Sequence, residues 1–316
     1  MKIITTQQNE PKNHLVLCGW KQEMDMVVKE ILLVNTQLKS EDILIIAKIN
    51  KSYLNSFEDD PLLSGVQFIL GDPFSDETLE MASVQTASKV IVLADWANKS
   101  ESATETDAKT LMAIMAVEKK APFVYLVAEL LDPSFLVYFK MANVDEIIFS
   151  REYSRILLAN SVSSGGIGHV LYTMLSKDGH SRLATVNFPA EFIGRTFGEL
   201  YDYYNQNTDP RAICIGLLEN IGNLAILKRQ ALVEAQKFPE MRTILSHLKN
   251  IKDLENNCPK LNPGHDYMIM PNSMSIIIGD YREFSHIGAS TISSTQDESK
   301  KMKLLTNLIY GKGKHP

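Results

Sequence analysis

Two lysines and four acids stand where apolar runs of the chain end, and their chemistry could bind a charged ligand. Gly19-Trp20-Lys21 follows Leu15-Val16-Leu17-Cys18, Lys48 follows ILIIA at 43–47, and Gly71-Asp72 follows VQFIL at 66–70. Asp95 follows VIVLA at 90–94, while Glu129 and Asp132 follow FVYLV at 123–127. A glycine at such a turn lets backbone approach a ligand, and the helix N-terminus after it offers amide donors to an anion. Lys21 and Lys48 could pair with phosphate, and Asp72 could lie at the edge of a nucleotide cleft. Carboxylates suit a divalent cation, and calcium takes about six to eight oxygen ligands. Carboxyl ends of adjacent parallel strands lie side by side, so Asp95, Glu129 and Asp132 could converge on such an ion.

Each residue also has a plainer reading. The dinucleotide fingerprint G-x-G-x-x-G is here Gly19-Trp20-Lys21-Gln22-Glu23-Met24, with two glycines replaced. The Cβ of Lys21 would crowd a pyrophosphate, and Met24 should push the following helix away from the strand. Lys48 stands where an NAD site places an acid to accept ribose hydroxyls, which a lysine cannot do. These departures weigh against ordinary NAD binding and leave open an adenine nucleotide held another way. The competing reading makes 19–24 a structural turn with Trp20 packed at a subunit interface. Lys48 could be a solvated charge, and Asp72 could cap a helix starting near Ser75-Asp76-Glu77. The acids from Glu101 to Asp107 fit a solvated helix start equally well.

The elements that must position these residues alternate over 1–150. The apolar runs at 14–18, 43–47, 66–70, 90–94, 123–127 and 146–149 are continuous enough for strands covered on both faces. Helical periodicity lies between them, so an α/β, doubly wound parallel (Rossmann-like) sheet is expected. Residues 151–182 read as two amphipathic helices bent at Ser163-Ser164-Gly165-Gly166, their apolar face covered by a partner subunit or by their own domain. A smaller α+β lobe is expected over 183–285. Its strand signals are LATVNF, AICIGLLE, NLAILKRQ, DYMIMP and SMSIIIGD, with a short helix near 195–200. A charged, helical insertion at 231–260 and a polar tail at 286–316 complete the reading.

A formal net charge of -6 gives no footprint for nucleic acid. Three cysteines without a C-x-x-C pair fit a reducing compartment. The chain has no apolar run of about 18 residues, so a cytoplasmic protein that meets the membrane only through a partner is expected. The seven histidines are scattered, with no H-E-x-x-H, nucleophile elbow or P-loop lysine, so no enzyme is expected.

The order HLVLCGW, GDPFSDETLEMASV, KVIVLAD, FVYLVAEL, MANVDEIIFS, VNFPAEFIGRTFGEL and NPGHDYMIMPNSMSIIIGD resembles the RCK (KTN, TrkA-type) family. The resemblance covers roughly 14–285 and is closest to calcium-gated prokaryotic potassium channel regulators. It implies a cytoplasmic, ligand-sensing regulatory domain at the inner face of the membrane, controlling a potassium channel pore or transporter subunit. It also implies that the helix pair after the sixth strand joins a homodimer and that eight copies form a gating ring. Glu129 matches the first acidic residue of the calcium-gated members. The second appears as Leu131, and the acid at the end of the fourth strand is shifted from Leu93 to Asp95, so calcium gating through an unchanged site is not expected. The alternatives are a nucleotide-dependent oxidoreductase on the same fold and a structural ring-forming lobe without ligand.

Overall fold

The computed structural model describes residues 2–4, 11–35, 37–94, 101–176, 182–207, 212–235, 251 and 253–279. The chain divides into two compact units, Met1–Ser163 and Ser164–Pro316.

The first unit runs β1 (Lys2–Ile3), β2 (Leu15–Cys18), α1 (Met24–Val34), β3 (Ile43–Ala47), α2 (Asn55–Glu58) and β4 (Gln67–Leu70). It continues through α3 (Asp76–Met81), β5 (Lys89–Val92), α4 (Ala103–Lys120), β6 (Tyr125–Leu130), α5 (Leu136–Met141), β7 (Glu146–Phe149) and α6 (Ser150–Ser163). All seven strands are parallel, in the order β1-β4-β3-β2-β5-β6-β7. The doubly wound sheet expected from the apolar runs is therefore present, with β1 added at its edge. Two residues beside a polar stretch are too short to read as a strand.

Every residue of β3 is buried because both sheet faces are covered. Leu44 and Ile46 join Val16, Val90 and Leu126 in one core, while Ile43 and Ile45 join Leu15, Leu17 and Phe68 in the other. Successive side chains of one strand thus stabilise opposite layers. From β2 the chain winds outward through β3 and β4, then returns to β5 on the other flank. The crevice outside the carboxyl ends of β2 and β5 is the topological switch point, where open α/β sheets bind ligands.

The second unit contains α7 (Ile167–Leu175), β8 (Arg182–Val186), α8 (Phe197–Asn207), β9 (Ile213–Glu219), α9 (Leu224–Ala235), β10 (Cys258–Leu261) and β11 (Met274–Gly279). Its sheet is antiparallel, in the order β10-β9-β11-β8, over a core of Val186, Phe197, Leu200, Tyr204, Leu217 and Ile277. Gly166, at φ +86°, is the N-cap residue of α7.

Three expectations fail here. NLAILKRQ is not a strand but the start of α9, because the Asn223 side chain accepts from the Ile226 amide (3.0 Å) and caps the first turn. DYMIMP forms only an isolated bridge, Thr196 to Met268. Inside the expected helical insertion, 258–261 instead pairs with β9 as an edge strand. The rest of that insertion at 236–250, residue 252 and the 286–316 tail lie outside the described residues.

Candidate functional site

The turn after β2 is built around one glycine. Gly19 sits at φ +103°, and an added Cβ would stand 3.0 Å from the Leu93 carbonyl oxygen. Its amide donates to Ile46 O (2.9 Å) and the Leu93 amide to Cys18 O (2.8 Å), so the turn is tied to both neighbouring strands. A left-handed residue is needed again at Glu23 (φ 58°), and α1 begins only at Met24. Met24 is buried as the first residue of the helix, anchoring it to the core. Glu23 and Asp25 stand at the helix start, where acidic residues suit the positive end of the helix dipole.

Trp20 corrects the interface reading. Its ring lies 6.3 Å from Tyr53 and 6.0 Å from Phe57, and it is 7% exposed within the single chain. It packs in the core of its own unit because α2 and the turn before it bring aromatic side chains under the β2 turn.

Lys21 does not stand alone. Its Nζ donates to Glu129 Oε1 at 2.5 Å, across 108 residues of sequence. Glu129, on β6, has a side chain only 4% exposed, and its Oε2 accepts from the Ala94 amide at 3.1 Å. The candidate phosphate-binding cation and a candidate metal ligand are thus partners. The other lysine repeats the pattern at the surface: Lys48 Nζ lies 3.2 Å from Asp72 Oδ2, with side chains 74% and 36% exposed. The Asp72 carboxylate is not the helix cap; its carbonyl oxygen receives the Ser75 amide (3.1 Å) and Thr78 Oγ1 (2.6 Å).

Asp132 stands apart from Glu129 in role. Its Oδ1 accepts from the Ser134 amide (2.9 Å), opening the turn Pro133–Phe135, and that hydrogen bond holds the carboxyl below the usual carboxylate range. Asp95 lies outside the described residues. Among the described residues, no group of three or more His, Cys, Asp or Glu side chains is placed to hold a metal ion.

One buried residue that positions the loop after β6 escaped the sequence reading. Asp107, grouped there with a solvated helix start, is fully buried on α4. Its carboxylate accepts the Leu131 amide (3.0 Å) and the Asp132 amide (2.7 Å), fastening the loop after β6 on which Asp132 sits. Burial pushes its pKa up, and the two loop amides oppose the rise. The helical stripe Thr106, Asp107, Thr110, Ala113, Ile114, Val117 carries the missed signal, since it faces the core throughout. The solvated acid of that turn is Glu105, which closes a capping box with Ser102.

Residues 10–129 match the family described as calcium-activated potassium channel slowpoke-like RCK domain. The chain is 25% identical over 166 residues to the calcium-gated potassium channel TvoK of Thermoplasma volcanium, covering 52% of this chain and 44% of that protein. It is 26% identical over 148 residues to the putative potassium channel protein YugO of Bacillus subtilis, covering 46% and 41%. In fold it resembles the human SLO3 gating ring, at a TM-score of 0.54 and 14% identity, over 86% of this chain and 45% of that one. The chain thus matches less than half the length of either curated relative. No described helix is long and apolar enough to cross a membrane.

Proposed function

We propose, from the match of residues 10–129 to an RCK domain model, that the chain is a non-enzymatic regulatory domain that controls potassium flux through a pore or transporter subunit. The supporting observation is the helix pair α6 and α7. Neither helix buries a residue within the chain, although Ile156, Leu158, Val162, Val170, Tyr172 and Leu175 are each half exposed or more. Open apolar surface of that extent on each of these helices calls for a partner. A second copy there makes a homodimer, and ring assembly extends it to the octamer that the family resemblance implies. Regulation then follows from unequal ligand or partner affinity for two ring conformations. The domain acts at the cytoplasmic face of the membrane, held there by the pore subunit.

The oxidoreductase alternative loses support at the switch point. Lys21 and Glu129 are paired, Lys48 and Asp72 are paired, and acids occupy the start of α1. Light scattering of the full chain, combined with potassium flux from cells or vesicles carrying its pore subunit, tests the proposal. Dimers or larger rings and a flux altered by the chain are expected. A strict monomer at high concentration, with flux unchanged, contradicts it.

A further inference from the structure

The Lys21–Glu129 pair has a feature that an incidental surface contact lacks. Glu129 is almost fully enclosed, and both its oxygens are engaged, one by the Lys21 ammonium and one by the Ala94 amide. A buried carboxylate that loses its paired cation is left strongly unfavourable, and Glu129 has only one backbone amide besides Lys21 to hold its charge. Lys21 supplies the positive charge from the turn after β2, the position where the dinucleotide fingerprint has its second glycine. From that position one side chain neutralises the enclosed carboxylate of Glu129 at the end of β6.

We propose that Lys21 is a tethered cation standing in for an external ligand: it clamps the turn after β2 to the end of β6, so the switch-point crevice needs neither nucleotide nor metal ion to hold that contact. The proposal rests on the reading of the chain as a regulatory lobe and specifies how that lobe's cleft is regulated. The cleft is permanently held by its own side chain, and the ligand or partner response resides elsewhere in the assembly.

The test is chemical rescue in the full chain. Lys21→Ala removes the ammonium and its propyl arm, leaving room for n-propylammonium. The variant should unfold roughly 10 °C below the unsubstituted protein, and added n-propylammonium should restore much of that loss. Sodium chloride at equal ionic strength and tetramethylammonium, which has no N–H donor, should not. Any midpoint shift of the unsubstituted protein with NAD, ADP, calcium or magnesium should persist in Glu129→Gln, because it arises away from this pair. Should Lys21→Ala fail to fold, Lys21→Met/Glu129→Gln decides, because it removes both charges while keeping the volume. A folded double variant supports the tethered cation, and an unfolded one overturns it. Absence of rescue in a folded Lys21→Ala overturns the proposal, as does a calcium, magnesium or NAD shift in the unsubstituted protein that Glu129→Gln abolishes. These outcomes are independent of light scattering and flux, so this inference and the regulatory reading fail separately.

Discussion

Two lysines meet two acids at the carboxyl edge of the same parallel sheet, in different surroundings. Lys21 reaches a carboxylate that is 4% exposed and otherwise held by a backbone amide, whereas Lys48 and Asp72 meet with side chains 74% and 36% in solvent. Water can replace Lys48 as a partner for Asp72, but little water reaches Glu129. The difference shows that burial of the acid, rather than presence of an ion pair, decides what a lysine contributes. Lys21 is then a structural part of the fold, and Lys48 a surface charge that happens to be near an acid.

Breaking the buried pair should have the largest effect. Lys21→Ala is expected to cost about 3–5 kcal/mol by leaving Glu129 enclosed without a cation, measurable by urea unfolding of the first unit. Asp107→Asn comes next, at about 1–3 kcal/mol, because one amide oxygen must replace a carboxylate that receives two loop amides. Hydrogen exchange at the amides of Leu131 and Asp132 should accelerate in that variant.

A smaller effect separates the two ends of β2. His14, just before that strand, is 3% exposed, and its Nε2 bonds Ala82 O at 2.8 Å. Burial lowers its pKa, partly opposed by the Ala82 carbonyl and by Asp42. The unfolded chain then takes up a proton below about pH 6.5 that the folded chain refuses, so stability falls as pH drops from that value toward the lowered one. Unfolding titrations of the unsubstituted protein and His14→Phe should diverge in that window; parallel curves would assign the acid sensitivity to the carboxylates instead. The smallest change belongs to Lys48→Ala, expected within about 0.5 kcal/mol of zero and shrinking further with salt. A loss as large as that of Lys21→Ala would erase the distinction between the two pairs.

The parallel sheet was legible because continuous apolar runs such as ILIIA at 43–47 leave a strand covered on both faces as the natural reading. The antiparallel lobe was less so. NLAILKRQ has the apolar content of a strand, whereas the structure makes it the start of a helix capped by Asn223. At the candidate site, sequence identified Gly19, Lys21, Lys48, Asp72 and Glu129 individually but not their pairing. Lys21 and Glu129 are 108 residues apart, and no local periodicity reports a contact between the ends of β2 and β6. The packing of Trp20 inside its own unit is hidden for the same reason, since its partners Tyr53 and Phe57 come from beyond the next strand. Asp107 was readable in principle, because it lies on the buried stripe of α4, but an acid in a helix's first turns reads by default as solvated.

The central claim is that Lys21 already supplies what an external ligand would bring to the switch point. Isothermal titration of NAD into the unsubstituted protein and into Glu129→Gln, repeated with calcium and magnesium, tests it most directly. The account predicts that any saturable heat in the three titrations is the same in Glu129→Gln. Saturable binding that disappears in Glu129→Gln would contradict it.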